Sequence, residues 1–308
     1  MDKYNRPMRI KTGNKWLYHL MALFTACVWG VTYVSTKVLI NHGLAPAEIL
    51  FYRFLLAYIT IWIFTPKRLL ARSWKDELLF VFAGMAGGSL YFLAENTALK
   101  YTLASNVSLI LCTAPIFTVF ILYLFRKIDR LRRHLLIGSA IALSGVALVV
   151  FNGHFVLQIS PLGDILSIIA AVMWAFYGLL LKQLDSNYPV LFITRKVFFY
   201  GILTLSPYFL FDPIDTSWET LALPAVAGNL LFLGLLASML CYILWNSAVK
   251  ELGAVQTATY IYFMPLITLL TSAIVIDEVI TPIAMLGSLF IIGGVYFAEK
   301  GEKLAPTK

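Results

Sequence analysis

Long apolar runs recur along almost the whole chain, and they constrain its fold more than any other feature. Ten runs of about 17 to 25 residues follow one another with short polar breaks, and each is long enough to cross about 30 Å of hydrocarbon as a helix. They lie at about 17–40, 46–65, 77–99, 103–125, 135–152, 163–183, 189–211, 225–249, 254–276 and 282–298. The pattern predicts an all-α integral membrane protein with ten transmembrane helices.

The composition agrees with this interpretation, since 60% of the 308 residues are hydrophobic and only 13% are charged. Soluble domains have a far more polar mixture. The runs leave no stretch long enough for a separate soluble domain, so we interpret residues 1–15 and 299–308 as terminal tails. The lipid bilayer is therefore the expected surrounding of almost the whole chain.

Lys and Arg residues concentrate in alternate connections between the runs. If the N-terminus is placed inside the cell, the predicted outer segments contain only Lys37 and Lys100. Because short positively charged loops stay on the cytoplasmic side, both termini are predicted to be cytoplasmic. The basic stretch RKIDRLRRH at 126–134 is then a topology signal and a contact with anionic lipids rather than a nucleic-acid site.

The reactive residues form no recognisable catalytic or metal site. Cys27, Cys112 and Cys241 lie in separate runs without CxxC spacing, and the four histidines lie near the ends of runs. The sequence also lacks the GxxxxGK[ST] motif that binds ATP. We therefore expect no metal, no cofactor and no enzymatic activity.

The chain repeats itself with an offset of about 150 residues. Residues 90–118 align without a gap on residues 240–268. The identical pairs are Leu90/Leu240, Asn96/Asn246, Ala98/Ala248, Lys100/Lys250, Ala104/Ala254, Pro115/Pro265 and Thr118/Thr268. Asn, Lys and Pro are uncommon in membrane spans, so a shared apolar composition does not explain these matches.

The repeat divides the ten runs into two sets of five, at residues 16–152 and 163–298. Because five is odd, the second set enters the bilayer from the opposite side, and the two repeats are inverted relative to each other. Inverted repeats are the architecture of carriers that work by alternating access around a site near the midplane. The sequence therefore favours a secondary transporter over a membrane enzyme.

Three motifs also resemble a known family. They are VWGVTYVSTK in the first run, ENTALKYTLASNVSLILCTAP across the third and fourth runs, and the GSAIALSGV and GSLFIIGGV segments near the ends of the repeats. Together they resemble the EamA-type family of the drug/metabolite transporter superfamily over nearly the whole chain. The resemblance implies a ten-helix inverted-repeat fold in a bacterial inner membrane. It also implies export of amino acids, other metabolites or toxic compounds.

Glu95 and Arg53 are charged residues inside the third and second runs. At 1.5 Å per residue they lie about 7 Å and about 10 Å from the same predicted outer surface. A charge in a span tends to face a cavity or a partner, because its insertion at the centre of a membrane helix costs about 2.5 to 3.5 kcal/mol. Glu95 is a candidate proton site or contact for a substrate amine, and Arg53 restrains it or binds a substrate carboxylate. The alternative is a fixed salt bridge between the two helices.

Arg195 in the seventh run is the counterpart of Arg53 at a mirrored depth. The two arginines are candidate gating residues at the two ends of one cavity. Alternatively, Arg195 and its neighbour Lys196 are structural residues whose side chains extend to the lipid headgroups.

Two tryptophans fall in the middle of the first and sixth runs, whereas interfacial tryptophans lie near the ends of spans. With tyrosines one turn further along each helix and the two repeat-related asparagines, they are candidates for the substrate cavity. These six residues are Trp29, Tyr33, Trp174, Tyr177, Asn96 and Asn246. The alternatives are ordinary packing for the aromatic residues and helix-joining hydrogen bonds for the asparagines.

Pro115 and Pro265 each remove a backbone donor within a span and are predicted to kink the helix. Gly87 and Gly88 allow close approach or bending in the third run. All four are candidate hinges for alternating access, although proline and glycine also occur in spans for packing alone.

The sequence thus predicts a secondary carrier that exports a small metabolite such as an amino acid, with proton coupling as one energy source. The alternatives are a passive channel-like facilitator and a membrane-embedded sensor or enzyme. A carrier saturates and shows counterflow, a channel shows neither, and an enzyme changes its ligand chemically.

Overall fold

The chain is helical wherever its structure is described. The computed structural model describes residues 15–66, 70–102, 104–125, 133–151, 160–184, 187–275 and 281–303, and these ranges contain no strand. The predicted all-α class is therefore confirmed. Most of the predicted N-terminal tail, the basic loop at 126–132 and the last five residues of the C-terminal tail lie outside the described residues.

The first half of the chain contains seven described α-helices, and a π-helical segment, Met85–Ser89, joins the third to the fourth. They are α1 (Lys15–Asn41), α2 (Pro46–Phe64), α3 (Trp74–Gly84), α4 (Leu90–Tyr101), α5 (Ala104–Leu111), α6 (Ala114–Leu124) and α7 (Arg133–Phe151).

The second half has a similar order, with a second π-helical segment, Phe232–Leu240, and two 3₁₀ segments, Ser206–Leu210 and Thr259–Phe263. Its α-helices are α8 (Pro161–Leu184), α9 (Val190–Leu205), α10 (Trp218–Ala222), α11 (Pro224–Leu231), α12 (Cys241–Leu252), α13 (Ala254–Ala258), α14 (Met264–Val275) and α15 (Pro282–Lys303).

Six helical segments of the described chain are long and apolar enough to cross a membrane. They are Lys15–Asn41, Pro46–Phe64, Trp74–Tyr101, Pro161–Leu184, Val190–Leu210 and Pro224–Leu252. Shorter apolar helices cover Ala114–Leu124 and Met285–Phe297. The described helices therefore support a polytopic membrane protein with at least six spans, and the predicted total of ten remains a prediction.

The prolines account for breaks in two of the predicted spans. The fourth run is divided into α5 and α6, with Pro115 in the first turn of α6. The ninth run is divided into α13, a 3₁₀ segment and α14, with Pro265 in the first turn of α14. Proline lacks an N–H and its ring clashes with the preceding turn, so it starts a helix more readily than it continues one. Gly87 and Gly88 lie in the first π-helical segment.

The two halves pack against each other in repeat-related pairs. Helix α1 packs against α12, and its counterpart α8 packs against α4, the counterpart of α12. Likewise α9 packs against α3, while α2 packs against α11 and the π-helical segment that follows it. Each half thus completes the core of the other, and a cavity between the halves is lined by helices from both.

Helices α7 and α15 pack at very short range because glycine occupies their contact. A Cβ atom on Gly294 would lie 2.5 Å from the backbone nitrogen of Ala142, and one on Gly145 would lie 2.6 Å from the carbonyl oxygen of Gly287. Small residues allow this kind of backbone approach between membrane helices. The adjacent Gly293 differs, because a Cβ atom added there would have no other atom within 4 Å.

We expect Gly294→Ala to lower the free energy of unfolding by about 1–3 kcal/mol, because the added methyl group overpacks the contact with α7. Gly293→Ala is the matched control in the same helix, and alanine's higher helix propensity should leave it neutral or slightly more stable. The measurement is thermal unfolding of the two purified variants in detergent. Equal melting temperatures would contradict the packing argument.

Candidate functional site

A narrow cavity lies between the two halves. It is lined from α1, α2, α4, α6 and α8, together with the end of α5, the 3₁₀ segment before α14 and the start of α14. The lining residues are Trp29, Thr32, Tyr33, Arg53, Tyr91, Phe92, Glu95, Leu111, Ala114, Trp174, Ile261 and Met264. The space between these atoms is about 440 Å³, part of it open to the outside. Its narrow shape leaves room for about one or two water molecules, so the cavity is constricted in this conformation.

The two mid-span tryptophans meet at this cavity. The ring centroids of Trp29 and Trp174 are 5.1 Å apart, with their planes at 88°. Trp29 also lies 4.9 Å from Trp245, and Trp174 lies 5.1 Å from Tyr91. Edge-to-face and tilted ring pairs of this kind stabilise a rigid aromatic wall. The sequence placed the tryptophans together, but it contained no sign that Tyr91 and Trp245 join them.

Tyr33 lines the cavity, whereas Tyr177 lies behind Trp174 and is not among the lining residues. The ring centroids of Trp174 and Tyr177 are 5.3 Å apart, and the Tyr177 hydroxyl donates to Asn246 Oδ1 at 2.9 Å. The Tyr33 hydroxyl is buried and has no hydrogen-bond partner among the described residues. An unpaired buried hydroxyl is costly, so Tyr33 presents an unused polar atom at the cavity.

Arg53 and Glu95 both line the cavity and are almost completely buried, at 2% and 6% exposure. Arg53 Nε donates to Ser238 Oγ at 2.9 Å, and its guanidinium lies 4.1 Å from the centre of the Phe92 ring. These contacts hold Arg53 to the second half and to α4. Among the described residues, no direct salt bridge joins Arg53 to Glu95.

Glu95 keeps an unused acceptor atom. Its Oε2 is buried and has no hydrogen-bond partner within the described part of the chain. The Arg53 guanidinium and the Tyr91 hydroxyl line the same cavity as this carboxylate. Buried polar atoms are nearly always hydrogen-bonded, so an exception at a cavity indicates a place for a proton or a ligand group.

The two repeat-related asparagines tie helices together in this conformation, and neither is a lining residue. Asn96 Nδ2 donates to the carbonyl oxygen of Pro46 at 3.1 Å, while its Oδ1 has no partner among the described residues. Asn246 accepts from Tyr177 and donates to Thr194 Oγ1 at 2.9 Å. In this conformation both asparagines therefore join helices by hydrogen bonds, which is the second of the two roles considered for them.

Arg195 lies away from the cavity. It is 2% exposed and donates to the carbonyl oxygen of Thr65, just after the end of α2. Its neighbour Lys196 is also buried and forms a salt bridge with Glu77. In this conformation both side chains are buried against neighbouring segments, Arg195 at the end of α2 and Lys196 at α3, which fits a structural role for the two residues.

Two buried glutamates that join the halves were missed in the sequence. Glu77, in the first turn of α3, accepts from Lys196 Nζ, from the Tyr200 hydroxyl and from the backbone N–H of Ala71. We call Glu77, Lys196 and Tyr200 the Glu77 cluster. Acidic residues are common in the first turn of a helix, so the sequence offered no reason to single out Glu77. Its partners are known only from the packing of α3 against α9.

Glu48, in the first turn of α2, is the second missed glutamate. It accepts from the backbone N–H groups of Ala45, Asp215 and Thr216 at 3.1, 2.7 and 3.1 Å, and from the Thr216 hydroxyl. The chain crosses the bundle along α2 and turns at Thr65 before α3 begins. Glu48 and Glu77 therefore lie at opposite ends of the bundle, which we call the Glu48 end and the Glu77 end.

The described ranges contain no group of three or more His, Cys, Asp or Glu side chains that could hold a metal ion. The cavity offers a ligand three kinds of contact: one carboxylate, one guanidinium and a wall of aromatic rings. Such a site can bind a ligand with opposite charges and an apolar part.

The EamA-like transporter family model matches the chain twice, at residues 16–151 and 161–299. The chain belongs to this family. It is a multi-pass membrane transporter, and the resemblance seen in the sequence motifs is confirmed. The family is one of transporters rather than of enzymes.

Individual relatives are distant but align over nearly their whole lengths. An uncharacterized transporter of Archaeoglobus fulgidus is 28% identical, over 90% of this chain and 96% of the relative. A probable amino-acid metabolite efflux pump of Salmonella typhimurium is 24% identical, over 93% of this chain and 96% of the relative. A solved crystal structure, 16% identical, superposes with a TM-score of 0.72 over 94% of this chain and 99% of that chain, which shows a shared fold.

The two asparagines of this EamA-like transporter should differ in their contribution to stability. Asn246→Ala removes two buried side-chain hydrogen bonds, one from Tyr177 and one to Thr194, so we expect the free energy of unfolding to fall by about 1–3 kcal/mol. Asn96→Ala is the matched control, because it removes a single bond to the Pro46 carbonyl, and its effect should be smaller. The measurement is thermal unfolding in detergent, and a larger effect for Asn96→Ala would contradict the assignment.

Proposed function

We propose that this protein is a secondary carrier that exports a small metabolite, such as an amino acid, by alternating access around the aromatic cavity. One observation carries the proposal. A buried carboxylate with an unused oxygen and a buried guanidinium line one cavity between the two halves of a transporter. The name of the Salmonella typhimurium relative, an amino-acid metabolite efflux pump, supports the same substrate class.

The two charged groups suit the two charged groups of an amino acid. Glu95 would accept a hydrogen bond from the substrate ammonium group, which would satisfy the unused Oε2. Arg53 has its Nε bound to Ser238, and the outer nitrogens of its guanidinium would meet the substrate carboxylate. The rings of Trp29 and Trp174 would then pack against the remaining part of the substrate.

Glu95 is also the residue we assign to proton coupling. A carboxylate in a site that excludes water can carry a proton when the substrate is absent and release it when a cationic group binds. Competition between proton and ammonium for the same oxygen would couple export to an inward proton gradient. Arg53, held against Phe92 on the same helix as Glu95, would restrain the carboxylate.

The remaining candidates enter the proposal as gating and hinge residues. Arg53 and Arg195 would act at opposite ends of the substrate pathway. The breaks before Pro115 and Pro265, together with the π-helical segment that contains Gly87 and Gly88, would supply the bending points. Tyr33 would contact substrate directly, and Tyr177, Asn96 and Asn246 would position the cavity helices.

We propose that the Glu77 end and both termini lie in the cytoplasm, because positively charged loops stay on that side of a membrane, and that the membrane is a bacterial inner membrane, as the family resemblance implies. The repeats are proposed at residues 16–152 and 163–298, with ten spans in total. Substrate would enter the cavity from the Glu77 end and leave at the Glu48 end.

The direct test is counterflow in proteoliposomes. Vesicles are preloaded with a mixed pool of amino acids and cell metabolites, the same labelled pool is added outside, and uptake is read by mass spectrometry with and without a pH gradient. We expect saturable counterflow of one compound class. Uptake that neither saturates nor shows counterflow would indicate a passive facilitator, and a chemically altered ligand would indicate an enzyme.

We expect Glu95→Gln to reduce substrate uptake driven by a pH gradient at least about tenfold, since the amide neither carries the proton nor pairs with an ammonium group. Glu251→Gln is the matched control, because it makes the same chemical change on an exposed residue of α12. The measurement is initial uptake with and without the gradient. An unchanged rate with unchanged pH dependence in Glu95→Gln would refute the role of this carboxylate.

A further inference from the structure

The Glu77 cluster joins the two halves of the protein inside the helix bundle. Glu77 on α3 belongs to the first half, and Lys196 and Tyr200 on α9 belong to the second. Glu77 and Lys196 are 6% and 3% exposed. A buried ion pair is retained only with good geometry and additional hydrogen bonds, and Glu77 has these from Tyr200 and Ala71.

The repeat shows that this contact has no counterpart at the other end. Helices α3 and α11 begin 150 residues apart, at Trp74 and Pro224, so Glu77 corresponds to Ala227. By the same measure α2 and α9 begin 144 residues apart, at Pro46 and Val190, so Lys196 corresponds to Tyr52, two positions from the alignment of Arg195 with Arg53. The helix contact itself is repeated, because α2 packs against α11 and the π-helical segment after it. At that repeated contact, however, an alanine and a tyrosine replace the charged pair.

A second hydrogen bond shows the same one-sided pattern. At the Glu77 end the Tyr177 hydroxyl bonds to Asn246 Oδ1, and Asn246 bonds to Thr194, two residues before Lys196. On the opposite side the related atoms, the Tyr33 hydroxyl and Asn96 Oδ1, both lack partners within the described residues. Tyr33 is four residues after Trp29 and Tyr177 three after Trp174, so both lie about one turn beyond the tryptophan.

One-sided contacts matter in a protein made of inverted repeats. The two facing states of such a carrier arise when the repeats exchange conformations. If the repeats were identical, the two states would have equal free energy. A contact that only one repeat can make therefore shifts the population toward the state in which it forms.

We propose that the Glu77 cluster is a closure contact, which holds this carrier closed at the Glu77 end until substrate binds and which breaks when that end opens. The inference rests on the proposed transport by alternating access. It adds the residues that set the resting conformation.

The Glu48 contact provides a matched comparison at the other end. Glu48 is also buried and also joins the two halves, but it binds mainly backbone N–H groups of the connection at 215–216. It thus holds a connecting segment to α2, whereas Glu77 holds two membrane helices together. Its loss should not open the Glu77 end.

The test measures from which side the cavity can be reached. Ala114→Cys places a single reporter thiol in the cavity lining, in a background with the three native cysteines replaced by alanine. A membrane-impermeant maleimide is applied to oriented vesicles from one side or the other. The readout is the ratio of labelling from the Glu77 end to labelling from the Glu48 end, with no substrate present.

We expect Glu77→Gln to raise this ratio at least about tenfold, the change that corresponds to the loss of a hydrogen-bonded charged contact. The double variant Glu77→Gln with Lys196→Met should raise the labelling ratio to a similar extent. It removes both charges of the ion pair, so it serves as the test if the single variant does not fold. Glu48→Gln should leave the ratio the same or lower it. Size-exclusion profiles in detergent verify the folding of each variant.

An unchanged ratio in the folded double variant, or an equal rise in labelling from both sides, would overturn the closure proposal. Counterflow of the unmodified protein is measured in parallel. Counterflow with an unchanged ratio rejects the closure contact and leaves transport standing. A raised ratio without counterflow of any compound rejects the transport proposal and leaves the Glu77 cluster as the contact that closes this end.

Discussion

The cost of removing charged and polar groups from water governs the arrangement of this protein. Arg53, Glu77, Arg195 and Lys196 are all almost completely buried in a mainly apolar bundle. Each must find a partner on another helix, because an unpaired charge in such surroundings would cost several kcal/mol. Arg53 bonds to Ser238, Arg195 to the Thr65 carbonyl, and Lys196 to Glu77. These contacts fix which helices are neighbours.

Glu95 differs from these residues, because one oxygen of its carboxylate has no partner in the described part of the chain although it lines the cavity. Every other buried charge just described has a hydrogen bond across the bundle, while Glu95 Oε2 has none among the described residues. The cavity is also the place where the aromatic rings of both halves meet. A site that keeps a polar atom unsatisfied within a rigid aromatic wall is suited to a ligand that supplies the missing hydrogen bond.

The interleaving of the repeats explains how such a site can face two directions. The contact of α1 with α12 is repeated in the contact of α8 with α4, so each half packs on the other in a corresponding way. The two halves are not fully equivalent, because Glu95 corresponds to Trp245 and Glu77 corresponds to Ala227. The first difference makes the chemistry of the cavity one-sided, and the second makes the closure of the bundle one-sided.

The sequence by itself determined the helical class and the family, and it gave Trp29 and Trp174 matching mid-span positions, because span length and repeat offset can be read from the chain alone. It did not determine the partners of the charged residues. Depth along a span placed Arg53 and Glu95 at one level, yet Arg53 bonds to Ser238 on a distant segment. The roles of Glu48 and Glu77 were decided only by tertiary structure, since a glutamate in the first turn of a helix looks alike whether it faces water or another helix.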